Sequence, residues 1–239
     1  MNTLAHRIFL TLVAFAWAEA FASQAEAQFT NLNFESASLP SIPSGQDGGE
    51  VPITSALPGW SASIDGVPVT QVLQNNYDLG SPTIDVFGPH WNSVGPGVIG
   101  GSYTVFLQAS IAPYDVSLWQ DGTIPANAQS LQFSAWSWLP PFTIFTVSFD
   151  GNTLSPVVLS SGQTAAGQPY TVYGANVALY AGQTGQLEFT AGFNNSGPSW
   201  TELDDISFST NSIAPEPGIL VLTSIGGLLF GARKWLARR

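Results

Sequence analysis

The chain has 239 residues, of which only 9% are charged, and its 16 Asp and Glu against 5 Lys and Arg give a formal net charge of −11. All five cations lie near the ends, at Arg7, Arg233, Lys234, Arg238 and Arg239, so the body cannot neutralise phosphates, and nucleic-acid binding and P-loop or arginine-finger chemistry are excluded. The absence of Cys removes disulfides, thiolate nucleophiles and zinc–thiolate sites.

Residues 1–7 are polar with one positive charge, Ile8 to Ala18 are apolar, and Ala25-Glu26-Ala27 sets small residues at alternate positions before Gln28. This is the layout of a secretory signal peptide, residues 1–27, cut after Ala27, with Ala20-Phe21-Ala22 as the second choice. The apolar stretch is short for the roughly 20 residues of a membrane span. A signal helix handled by the export machinery and signal peptidase is therefore expected.

Residues 28–213 read as one domain. Turn signals recur at Pro58-Gly59, Asp65-Gly66, Gly95-Pro96-Gly97, Asp121-Gly122, Asp150-Gly151 and Gly197-Pro198. Between them apolar and polar residues alternate, as in Leu131/Phe133/Ala135, Phe145/Val147/Phe149 and Leu187/Phe189/Ala191. Period two bounded by turns predicts strands with one buried face. They are placed at 28–35, 60–64, 68–73, 83–87, 98–108, 115–119, 129–138, 143–150, 153–159, 170–178, 185–191 and 203–209. Residues 36–58, rich in Ser, Pro and Gly, predict a long loop. The expected fold is all-β, an antiparallel β-sandwich of jelly-roll type.

Catalysis finds little support in the body. Its one histidine, His90 in Gly88-Pro89-His90-Trp91, would have to serve any Ser-His-Asp triad, and no Gly-x-Ser-x-Gly elbow accompanies it. Glycoside hydrolysis needs only two carboxylates, yet spacing singles out no pair, so no catalytic residue is assigned and a glycoside-active hydrolase ranks third among the readings. Trp136 and Trp138 share the strand face opposite Leu131, Phe133 and Ala135. If the latter face is the core, the two Trp form an outward platform for sugar rings, which Trp91 and Trp119 could join; otherwise a second layer buries them. Near the end of the body, period two with Ile206 and Phe208 inward places Asp204 inward as well. There it either accepts backbone N–H bonds or holds a cation. Uncompensated carboxylates in an exported protein suit Ca²⁺.

Residues 214–239 close the chain with Pro215-Glu216-Pro217, an apolar run from Gly218 to Ala232, and the basic cluster Arg233, Lys234, Arg238 and Arg239. A helix can begin only at or after Pro217. At 1.5 Å per residue the run reaches about 22 Å, and Trp235 and Leu236 extend it while Arg233 and Lys234 snorkel. The basic end favours the cytoplasmic side, so a transmembrane-type helix tethering an exported body is expected.

This order of Pro-Glu-Pro, apolar helix and basic cluster resembles the PEP-CTERM sorting signal of Gram-negative bacteria. The resemblance implies that an exosortase-type enzyme recognises Pro215, Glu216 and Pro217 and processes the tail, in organisms that often make exopolysaccharide. Asn33-Phe34-Glu35, Leu57-Pro58-Gly59-Trp60, Thr123-Ile124-Pro125-Ala126, Ala181-Gly182-Gln183-Thr184-Gly185 and Leu203-Asp204-Asp205-Ile206 resemble segments of the jelly-roll domains that precede this signal. The first and last are also similar to galactose-binding-like carbohydrate-binding modules. There a structural calcium joins the first strand to the last, and the matching positions are Glu35 with Asp204 or Asp205. The resemblances together imply a non-catalytic protein, tethered transiently at the inner membrane and then displayed on the cell surface or in an exopolysaccharide matrix. A calcium-stabilised carbohydrate-binding module is the alternative.

Overall fold

The alternating segments become strands of two facing sheets in the computed structural model, which describes residues 28–43, 46–76, 80–89, 91, 97–110, 114–137, 144–192 and 199–213. One sheet has eight strands in the spatial order β1 (Glu50–Pro52), β4 (Gln71–Gln74), β5 (Thr83–Phe87), β6 (Thr104–Ala109), β14 (Ser199–Ser209), β8 (Ser130–Ser137), β12 (Pro169–Asn176) and β11 (Val157–Gln163). The other has six, β10 (Asn152–Thr153), β9 (Ile144–Phe149), β13 (Thr184–Gly192), β7 (Val116–Thr123), β2 (Ser61–Ile64) and β3 (Val67–Val69). The strand pairs are antiparallel except β4 with β5. The chain is thus a β-sandwich. Its described helices are a single turn, α1 (Ile53–Ala56), and a 3₁₀ turn at Ala178–Tyr180, and none is long and apolar enough to cross a membrane.

Period two fixes which side chains meet between the layers. Leu131, Phe133 and Ala135 of β8 and Leu203 of β14 face Leu118 of β7, Val147 and Phe149 of β9 and Leu187, Phe189 and Ala191 of β13, all buried in one core. Phe133 meets Phe189 edge-on at 5.5 Å and stacks on Tyr173 at 5.5 Å. Two hairpins close on dipeptides named as turns: Asp65-Gly66 (φ 51 and 71) joins β2 to β3, and Asp150-Gly151 (φ 49 and 74) joins β9 to β10. Positive φ at both central residues is what a two-residue hairpin turn of matching twist requires.

Several expected elements differ. Residues 28–35 form no strand; Gln28 makes an isolated bridge to Thr123, and Asn31 and Phe34 take positive φ in a turn. That turn drives Phe34 into the core against Trp60, 5.5 Å between ring centroids, while the Trp60 indole N–H donates to the Asn31 carbonyl at 3.0 Å. Gln120 pins the same segment, accepting from Thr30 N–H and donating to the carbonyls of Thr30 and Gly59. The supposed loop 36–58 contains β1 and α1. The run 68–73 splits at Thr70 between the two sheets, and β6 starts only at Thr104, because residues 97–103 cross the sheet's outer side.

Candidate functional site

The outer face of the eight-stranded sheet is where polar and aromatic chemistry gathers. In β14 Leu203 points into the core, so Trp200, Glu202 and Asp204 point outward. Register sets them in three cross-strand rows. Thr83, Gln108 and Trp200 form one; Asp85, Phe106, Glu202 and Trp136 form the next. The third holds Phe87 opposite Thr104 and Asp204 opposite Ser134, with the Thr104 hydroxyl donating to Asp204 at 2.6 Å. Phe87, Phe106 and Trp200 make a second buried cluster, and the partly buried Trp91 and Trp136 pack against it. Phe87 and Trp91 stack at 4.0 Å and 12°.

Asp85, Glu202 and Asp204 are all fully buried on this face. Burial pushes Glu202 up to about 9, with the charge of Asp204 adding to the rise and the Gly97 N–H opposing it. The Gly97 N–H approaches Glu202 without closing a full hydrogen bond, and neither Glu202 carboxyl oxygen has a well-formed partner among the described residues. Burial likewise pushes Asp85 up to about 7 against the pull of backbone N–H groups, of which Asn76 donates to Oδ2 at 2.9 Å. Asp204 rises to about 7 for the same reason, although it accepts from Gly100 N–H at 3.0 Å, from Thr104 and from Asp205 N–H at 2.7 Å.

The expected inward position of Asp204 is corrected by a β-bulge. On β8 the register advances two residues, Ser134 to Gln132, while β14 advances three, Asp204 to Ser207. The extra residue reverses the alternation: Phe208 and Ile206 face the core, Asp204 faces out, and Asp205 sits at φ 50. Asp204 thus meets Gly100 and Thr104 on the outer side of the sheet.

Glu35, which lies in the first turn and not in a strand, accepts from the N–H groups of Ser102 and Tyr103 at 2.8 and 3.0 Å. Asp205 lies beside the same connection. A Cβ on Gly100 would stand 2.6 Å from an Asp205 oxygen, and one on Gly101 (φ 56) would run into the Glu35 carboxylate. Burial first and Glu35 second raise the Asp205 carboxyl. All three named carboxylates therefore meet at Gly100-Gly101: Asp204 accepts from Gly100 N–H, Asp205 lies beside Gly100 and Glu35 beside Gly101. Among the described residues no group of three or more carboxylate or imidazole side chains is arranged to hold a metal.

Of the four named tryptophans, Trp91 and Trp136 come together on the outer face. Trp119 does not join them: it follows the core residue Leu118 on β7 and so lies on the outer side of the six-stranded sheet, opposite Ser61 and Glu188. Trp138, His90, residues 1–27, Pro215, Glu216, Pro217, Arg233, Lys234, Arg238 and Arg239 lie outside the described residues. Sequence reasoning passed over Asp85, Glu202, Phe87 and Phe106. The available signal was a carboxylate between β-branched residues, Ile84-Asp85-Val86, and the alternation Trp200/Glu202/Asp204. A separate cleft of about 230 Å³ lies beside Ile64, Gln71, Leu73 and Thr83, with Glu50 as its carboxylate.

No protein-family model matches this chain, and no curated protein does. Among solved structures it is similar to a carbohydrate-binding module, TmCBM61, in complex with β-1,4-galactotriose: 14% identity, TM-score 0.42, covering 77% of this chain and 99% of that one. It is also similar to the enzymatically active domain of bacteriophage CBA120 tailspike protein 4, at 12% identity and TM-score 0.36, covering 63% of this chain and 19% of that one. Neither likeness bears on what this chain binds.

Proposed function

We propose that this jelly-roll sandwich is a non-catalytic, calcium-stabilised carbohydrate-binding domain of an exported protein, displayed at the cell surface or in an exopolysaccharide matrix. The observation that carries the reading is the outer face of β5, β6, β14 and β8, where aromatic rings and carboxylates occupy adjoining rows. Indole rings stack on the apolar face of a pyranose, and the partly exposed Trp91 and Trp136 are the stacking candidates; Asp85, Glu202 and Asp204 are fully buried on the same face and would shape it rather than touch the sugar. A body without cations favours a neutral polymer, and an anionic one would need Ca²⁺ as a bridge. Phe106 stands between Asp85 and Glu202, where a glycosidase would need open space for the sugar, and this supports binding over hydrolysis. Glu35 and Asp205 would hold the calcium, tying the first turn to β14 without charge repulsion.

Affinity electrophoresis through neutral and anionic polysaccharides, with calcium or with chelator, tests the binding. Saturable retardation that Trp136→Ala weakens about 10-fold is expected for a stacking contact; equal mobility in every gel at high micromolar polymer sinks the reading. The sorting proposal has a separate test, the mass of the surface form. We expect a chain beginning at Gln28 and lacking Arg233–Arg239, which trypsin leaves uncut because no Lys or Arg lies between Arg7 and Arg233. A surface form that retains the basic cluster contradicts it.

A further inference from the structure

A sheet edge exposes a row of unpaired N–H and C=O groups, and proteins usually blunt it with shortness, charge or proline. Among the described residues, three of the four sheet edges are blunted in those ways. β1 has three residues, among them Glu50 and Pro52; β3 has three with Pro68 in the middle; β10 has two. β11 is different. It has seven residues, Val157–Gln163, with neither charge nor proline, and among the described residues β12 is its one neighbour. Val157, Val158 and Leu159 are 45%, 65% and 39% exposed. Its surroundings are neutral too: between Asp150 and Glu188 no residue carries a charge.

We infer that β11 is a homotypic docking edge, on which a second copy of this chain pairs its own β11 antiparallel about a two-fold axis, joining two eight-stranded sheets into one. Charge selects the occupant. The acidic body has no cation to offer, so two copies repel wherever carboxylates face each other, and the stretch around β11 is where that repulsion is absent. An antiparallel pair is also self-complementary, since each strand presents the same donors and acceptors to its twin. The register shift between Val158 and Ser160 leaves Ser160–Gln163 as the regular stretch of the edge. Pairing centred there lets Val157, Val158 and Leu159 flank the joint as apolar cover.

The natural chain lacks Cys, so single cysteines report the contact cleanly. In the full chain purified in detergent, Ser160→Cys or Ser161→Cys should give a disulfide-linked dimer as the main species under mild oxidation. Val67→Cys on β3, at a position as exposed as Val158 at 65%, should stay monomeric. Light scattering should give a protein mass of two copies for the natural chain, and Val158→Lys with Ser160→Lys should cut the dimer fraction about 10-fold by setting like charges across the joint. A mass of one copy for the natural chain overturns the proposal. So do β11 cysteines that cross-link no better than Val67→Cys, a dimer indifferent to the two lysines, or a β11 occupied by a strand of another protein.

Discussion

The neighbourhood of β14 and the edge at β11 invert each other. Around β14 three carboxylates are buried beside aromatic rings, whereas β11 leaves Val157, Val158 and Leu159 in water. Burial costs a carboxylate its hydration, and here no cation compensates. Asp204 meets that cost with two backbone N–H groups and a hydroxyl, while Glu202 meets it by holding its proton. The edge needs no such device, because an exposed valine costs little in a monomer. One sheet thus keeps its electrostatic strain in the middle and its adhesive surface at the rim.

The largest effect is expected from breaking the Asp204 network. Asp204→Ala leaves the N–H groups of Gly100 and Asp205 and the Thr104 hydroxyl without their acceptor, a loss of about 3–5 kcal/mol in urea unfolding. A loss below about 1 kcal/mol would mean that water replaces the carboxylate and the network is not structural.

Glu202 should behave in the opposite way. Asp85, Asp204 and Glu202 titrate higher in the folded chain, near 7, 7 and 9, than their ordinary values of 3.8, 3.8 and 4.5. The folded state therefore holds more protons above about pH 4, so stability is greatest in mild acid and falls as pH rises through 7 and then 9. Glu202→Gln should flatten the upper part of that fall and stabilise by about 1–3 kcal/mol near pH 9. Melting temperatures that rise from pH 5 to 9, or a Glu202→Gln slope equal to the natural one, would refute this titration.

Calcium should act next in size. At saturating Ca²⁺ a gain of about 1–3 kcal/mol is expected from binding to the folded state alone, read as a raised melting temperature, and Glu35→Gln or Asp205→Asn should abolish it. An identical gain in both variants would move the cation elsewhere. The smallest effect belongs to the edge: Val158→Thr should change the stability of the monomer, measured at nanomolar concentration, by less than about 0.5 kcal/mol.

Much of this sandwich was legible in the sequence. Leu131/Phe133/Ala135 and Leu187/Phe189/Ala191 announce their buried faces by alternation, and Asp65-Gly66 and Asp150-Gly151 announce their turns, because those signals are local. What escaped was set by tertiary contact. Asn33-Phe34-Glu35 reads as a strand, yet Phe34 gains more by plugging the core beside Trp60 than by pairing. The face of Asp204 depends on one inserted residue at Asp205, and a bulge leaves no signature in composition or period. The outer-face rows were hidden for a related reason. Asp85, Phe106 and Glu202 are far apart in sequence and become neighbours only through strand order.

That strand order also decides how the molecule bears load. The chain leaves the sandwich through β14, which is hydrogen-bonded to β6 on one side and β8 on the other. A pull on the chain beyond Ile213, directed along the strand, must shear both ladders together rather than peel an edge one bond at a time. The C-terminal strand is therefore the mechanical spine of the sandwich, and tension applied from that end is spread across the middle of the sheet before any strand comes loose.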